Sequence, residues 1–202
     1  MKLGRPFHMR KEEKTQITKD KLLNAAEKLM EQYDDPFKVT SRQIAQESGM
    51  QAAMINYCFG SRENLIYSAF SLLYKNYLNS SQVEEIINSS LSPKDVLKSL
   101  HFLVAKCLVD NYKLTKAITA FVLFKRDLSI DSFSFPYVYK HFNGKKTPDE
   151  CKLIAYELST MMQIIVYRKD DIKNAFGFDI NNDDELKKLI NLRIDSLLGD
   201  AL

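Results

Sequence analysis

Eight residues between positions 40 and 62 carry groups suited to holding a polyanion and reading base edges: Thr40, Arg42, Gln51, Ala52, Ala53, Asn56, Tyr57 and Arg62. A Gln side chain pairs bidentately with adenine, Ala methyls meet the thymine methyl, and Arg42 suits a guanine edge or a phosphate. Thr40, Asn56, Tyr57 and Arg62 offer donors for phosphate oxygens, which position a protein on a duplex without reading its sequence. Each of these side chains taken singly also reads as a solvated surface residue, Asn56 more so than Tyr57 or Arg62. No other constellation suggests chemistry. The chain has no P-loop, GxGxxG, HExxH, GxSxG or CxxC motif. His8, His101 and His141 lie far apart without ligand spacing, and a lone His101 on an apolar helix reads as a satisfied core residue. Asp170-Asp171 and Asp183-Asp184-Glu185 fall at helix ends, where capping and solvation account for them. The residues point to binding, with no catalytic site, cofactor or metal expected.

The elements that must position the eight residues follow from local signals. Thr40 with Gln43 is a capping box opening a short helix whose buried side holds Ile44 and Ala45. Gly49 stops it, since Gly alone takes the left-handed conformation at no cost. A second short helix is predicted over about Gln51–Phe59, with Ile55, Cys58 and Phe59 on one face and Gln51, Ala52, Asn56 and Tyr57 on another. Gly60 ends it, and Ser61 caps a long third helix reaching about Leu78. Two short helices joined at a Gly turn form a helix-turn-helix, whose second helix fits the DNA major groove. Upstream, a helix is predicted from near Thr18, with Leu22, Ala26, Leu29, Met30 and Tyr33 as its buried stripe. Residues 1–16 lack periodicity and carry Lys2, Arg5, Arg10, Lys11 and Lys14 against Glu12 and Glu13. They are either a solvated terminus or an arm that reaches phosphates or the minor groove.

The stretch resembles the DNA-binding motif of the tetracycline-repressor (TetR) family of bacterial transcription regulators. The resemblance rests on Thr40, Arg42, Ile44, Ala45, Gly49 and the run Ile55-Asn56-Tyr57-Cys58-Phe59-Gly60-Ser61-Arg62-Glu63-Asn64-Leu65. It covers roughly residues 17–66; beyond that it is one of architecture. The loop Tyr33–Phe37 is one residue longer than usual, Gln51 stands where the family often has Ser, and Cys58 where it often has His or Tyr. Base preference therefore does not carry over.

The 202 residues, 45% of them hydrophobic, are ample for a core, and the net charge of +3 neither requires nor excludes nucleic acid. Three Cys without metal-like spacing read as buried thiols of a reducing cytosol. Without a signal peptide or a membrane-length apolar run, a soluble cytoplasmic protein is expected. Further helices are predicted from Ser92-Pro93, over about Leu114–Leu128, from the Thr147–Glu150 capping box to about Lys169, and from Asn182 to the end. A looser aromatic stretch spans Phe133–Phe142. The expected fold is all-α: an N-terminal three-helix helix-turn-helix domain with a basic arm (1–62), continued by a long helix into a helical domain (63–202).

The resemblance implies that this second domain binds a small molecule among its middle helices and dimerises through its last two. Phe102, Phe121, Phe124, Tyr156, Met161 and Met162 are the pocket candidates, though aromatics and Met at helical spacing also simply fill cores. The dimer candidates are the stripe Leu186, Leu189, Ile190, Arg193, Ile194 and Leu197, whose apolar side covers its own domain, a partner, or both. The implied protein is a regulator, a repressor in the family's manner, that binds double-stranded palindromic operator DNA as a homodimer and is released by a small-molecule effector, with no membrane involved. The alternative is a structural or nucleoid-type DNA-binding or protein-interaction module of the same fold without an effector.

Overall fold

Side-chain caps open several of the helices. The computed structural model describes residues 11–33, 35–78, 81–128 and 132–199, and every regular element among them is helical. The chain divides into two units, Met1–Leu72 and Leu73–Leu202.

In the first unit α1 spans Lys11–Met30 and packs on α2 (Ser41–Ser48) and α3 (Ala53–Phe59). It starts well before the expected Thr18. Glu12 and Glu13 occupy its first turn, where carboxylates favour the helix N-terminus. Thr18 does not cap; its hydroxyl donates back to the Lys14 carbonyl at 2.9 Å, inside the helix. Lys2, Arg5 and Arg10 of the expected arm lie outside the described residues, whereas Lys11 and Lys14 are helical. Leu22, Ala26, Ile44, Ile55, Leu65 and Ile66 are all buried in this unit. Pro36–Lys38 forms a 3-10 turn, begun by Asp35, whose carboxylate accepts from the Phe37 N–H at 2.9 Å. α4 (Arg62–Leu78) begins in this unit and continues unbroken past the division at Leu72.

The second unit contains α5 (Ser81–Ile87), α6 (Pro93–Asp110), α7 (Tyr112–Phe124), α8 (Phe135–Phe142), α9 (Pro148–Tyr167), α10 (Lys169–Phe176) and α11 (Asp183–Leu198). α6 is its centre: α5, α7, α8, α9 and α11 all pack against it. Ser92 caps α6 with Pro93 in its first turn, Thr147 and Glu150 form a reciprocal box on α9, and Asn182 accepts from two backbone N–H groups of α11. α6 and α11 run antiparallel, joined at one end by Lys106–Asp183 (2.9 Å) and at the other by Lys94 and Lys98 on Asp195 (2.7 and 2.8 Å). The two lysines hold the Asp195 carboxyl below its usual range.

Two elements differ from expectation. The aromatic stretch is largely a helix, α8, anchored by the fully buried Val138; its Pro136 lies in the first turn, where a missing N–H costs nothing. α10 follows α9 after one residue and buries none of its side chains. Cys107 and Cys151 are buried, and burial pushes both thiols up; Cys58 on α3 is only half-buried, against the expectation for all three.

Candidate nucleic-acid interface

α2 and α3 are joined by a turn at Gly49, which adopts φ 67° as the sequence requires. Thr40 accepts from the Gln43 N–H at 3.3 Å, and the Gln43 amide oxygen accepts from both the Thr40 N–H (2.9 Å) and hydroxyl (2.8 Å). The other end of that amide donates to the Tyr33 hydroxyl at 2.6 Å, so the capping box also ties α2 to the segment just after α1. The Thr40 hydroxyl proton is thereby committed within the protein, on a residue that is itself exposed.

α3 begins at Ala53, two positions after the expected Gln51; Gln51 and Ala52 form the turn that leads into it. Ile55 is its buried anchor. Gln51, Ala52, Ala53, Asn56 and Tyr57 are all exposed, as is Arg42 near the start of α2. Tyr57 stands out: a large ring left 61% exposed on a seven-residue helix. The first unit thus leaves the residues expected to read bases exposed, with the Gln51 and Arg42 side chains without internal partners among the described residues.

Arg62 behaves differently from a phosphate ligand. Its Nη1 donates to the carbonyls of Phe37 and Val39, both at 2.9 Å, while Nη2 and Nε donate to Glu63 Oε1 at 2.7 and 3.2 Å. Four of the five guanidinium N–H groups are engaged. The side chain is half-buried and clasps the start of α4 to the segment that leads into α2. Sequence reasoning misses this because the partners are backbone carbonyls, which leave no mark on residue type.

The second unit redistributes the remaining candidates. His101, Leu158, Met161, Met162, Ile190, Arg193 and Ile194 line a cavity of about 10 Å³ between α6, α9 and α11, room for about one water. Met161 and Met162 are therefore together at a cavity. Phe124 is 81% exposed and Phe121 is buried, and neither of them, nor Tyr156 or Phe102, lines this space. The Phe102 ring lies instead beneath Lys187 Nζ at 4.8 Å. Two polar lining residues are not among the pocket candidates. His101 is buried, its Nε2 sits 2.9 Å from Ser134 Oγ, and burial lowers its pKa to about 4. Arg193, the other, belongs to the stripe expected to form the dimer.

That stripe faces inward. Leu186, Ile190 and Ile194 are fully or almost fully buried and Leu189 nearly so, because α11 packs on α6, α8 and α9 of its own chain. Sequence shows that the stripe must be covered but not by what; here its own unit covers it. The large apolar residue that α11 leaves outside is Leu192, 57% exposed.

Among the described residues the first unit is a helix-turn-helix with an exposed second helix and the whole chain is all-α. No protein-family model and no curated protein matches this sequence. In solved structures the chain is similar to a TetR-like transcriptional regulator from Rhodococcus sp. RHA1, with 14% identity, a TM-score of 0.44, and coverage of 96% of this chain and 100% of that one. No described helix is long and apolar enough to cross a membrane.

Proposed function

We propose that this protein is a DNA-binding transcription regulator, a repressor that binds a palindromic operator as a homodimer in the cytoplasm and performs no catalysis. The observation that carries the reading is the outward face of α3 and its leading turn, where Gln51, Ala53, Asn56 and the exposed Tyr57 ring stand clear of a helix anchored by Ile55. A short helix that exposes an aromatic ring beside amide and methyl groups suits a groove, where base edges and phosphates meet those groups. Gln51, Ala52, Ala53 and Arg42 are the readers; Asn56 and Tyr57 meet phosphates; Thr40, whose N–H and hydroxyl both go to Gln43, and Arg62 position the motif. Residues 1–62 form the DNA-binding domain and 63–202 the regulatory domain.

Regulation comes from a mostly apolar small-molecule effector in the second domain; the cavity beside Met161 and Met162 holds only about one water, so the effector's site opens in the state that the effector selects. The effector binds the state without DNA more tightly, since equal affinity for both states shifts nothing. In vitro selection of bound duplexes tests the reading. Recovered sites should be palindromes with half-sites about 34 Å, or a multiple of it, apart. Retention of all sequences alike would replace the regulator with a protein that coats DNA.

A further inference from the structure

We propose that the effector is an apolar carboxylic acid, and that Arg193 receives its carboxylate at the cavity between α6, α9 and α11. The inference rests on the small-molecule effector proposed above and names its chemical class. Most of the cavity lining is apolar and comes from α9 and α11, with Leu158, Met161 and Met162 facing Ile190 and Ile194. Its polar members are His101 of α6 and Arg193 of α11, and no carboxylate is among the lining residues. A greasy wall with a single cation and no acid is the arrangement that an amphipathic anion complements.

Arg193 brings a charge into this lining that its own chain does not answer. The residue is half-buried, and its Nε is buried with no hydrogen-bond partner; its side chain's one internal bond is a long 3.5 Å contact from Nη1 to Ser196 Oγ. A guanidinium partly withdrawn from water is costly until a counter-charge arrives. The acids of α11 are held elsewhere. Asp195 takes Lys94 and Lys98, Asp183 takes Lys106, and Glu185 accepts from the Asp179 N–H. Asp184 lies in the first turn of α11, more than two turns from Arg193. His101 adds no charge, being neutral at ordinary pH, and its Nε2 already meets Ser134 Oγ at 2.9 Å. The missing acceptor therefore comes from outside the chain. A water fits the volume of about 10 Å³, but it needs two to four polar partners, and this lining offers few. A carboxylate oxygen only accepts, so the orphaned N–H suffices, and the bond it makes there is charge-assisted. The tail of the acid passes between α9 and α11 beside Met161 and Met162, whose unbranched thioether chains reshape around a guest. The closed cavity admits no more than a head-group oxygen, so seating the tail parts the two helices, and the acid favours the parted state.

The test titrates octanoate, octanol and octylamine, which share a chain and differ in the head, into full-length wild type and Arg193→Met at neutral pH. Binding is read from the methionine methyl resonances, with those of Met161 and Met162 reporting the site, and release is read as lost affinity for a duplex recovered by selection. Octanoate should bind wild type at least about tenfold more tightly than octanol, with octylamine weakest, and should weaken DNA binding in the same order. Arg193→Met should bring octanoate to the level of octanol. Should that variant fail to fold, the ranking of the three heads on wild type, with the Met161 and Met162 shifts, decides alone. Octanol matching octanoate in binding and in DNA release, or an acid preference that survives Arg193→Met, overturns the carboxylate assignment and leaves the apolar effector standing. DNA affinity unchanged by all three probes overturns the effector reading and this inference with it.

Discussion

Replacing Arg62 with Met, and separately with Lys, separates a residue that holds the motif together from one that grips DNA. Arg62 Nη1 bridges the carbonyls of Phe37 and Val39, and Val39 is fully buried. Removing a donor from a buried acceptor costs about 1–3 kcal/mol, whereas the partly exposed pair with Glu63 adds only about 0–1 kcal/mol. Two carbonyls, one of them on the half-buried Phe37, bring the expected loss for Arg62→Met to about 2–4 kcal/mol. Lys keeps the charge but not the fork, so Arg62→Lys should lose most of the same stability. The assay is thermal melting combined with DNA titrations at several salt concentrations. Both variants should melt well below wild type, and the slope of log affinity against log salt should stay unchanged at temperatures where they are folded. The clasp is refuted if Arg62→Lys melts like wild type while Arg62→Met flattens the slope by about 0.9 for each phosphate no longer neutralised.

Three further outcomes are expected. Gln51→Ala and Arg42→Ala should each cost about 1–3 kcal/mol on the best duplex and far less on a scrambled one, measured by binding isotherms on both. Ile190→Glu should unfold the second unit rather than yield folded monomers, because it buries a carboxylate at a site only 2% exposed; circular dichroism would show it. His101 is neutral when folded, its pKa lowered to about 4 from 6.5, so the unfolded chain binds the extra proton in that window. Stability should therefore be full above about 6.5 and fall by up to about 3 kcal/mol as pH drops toward 4. His101→Gln should flatten that window in acid-titrated denaturant melts, while the loss below it, from Glu150 and Asp195 held low by Thr147 and by lysines, remains.

What was legible in the sequence was what short-range chemistry writes there. Thr40 with Gln43, Gly49, Ser92-Pro93, Thr147 with Glu150, and Asn182 each marked a boundary that the fold keeps, because a cap's partners lie within a few residues. α10 does carry Ile172, Ala175 and Phe176 at helical spacing, but over only eight residues, too short a pattern to stand out beside the long helix before it, and Phe176 is left 69% exposed. α8 was obscured by a proline that reads as a breaker until its place in the first turn is known. The stripe of α11 was visible, yet a stripe does not name its cover, and Arg193 became informative only once Ile190 and Ile194 were seen to face inward beside it. Arg62 reads from the sequence as a phosphate ligand at the start of its helix; besides Glu63, its partners are main-chain oxygens that no residue type announces.

The unequal burial of the three thiols makes α3 chemically addressable. Cys107 and Cys151 are shielded and their thiols pushed up by burial, while Cys58 is half-buried on the helix proposed to enter the groove. A maleimide or iodoacetamide reagent should therefore mark α3 first in the native protein, with no engineered site. Duplex DNA that covers this helix would slow the labelling, turning one natural side chain into a footprint readable by mass spectrometry.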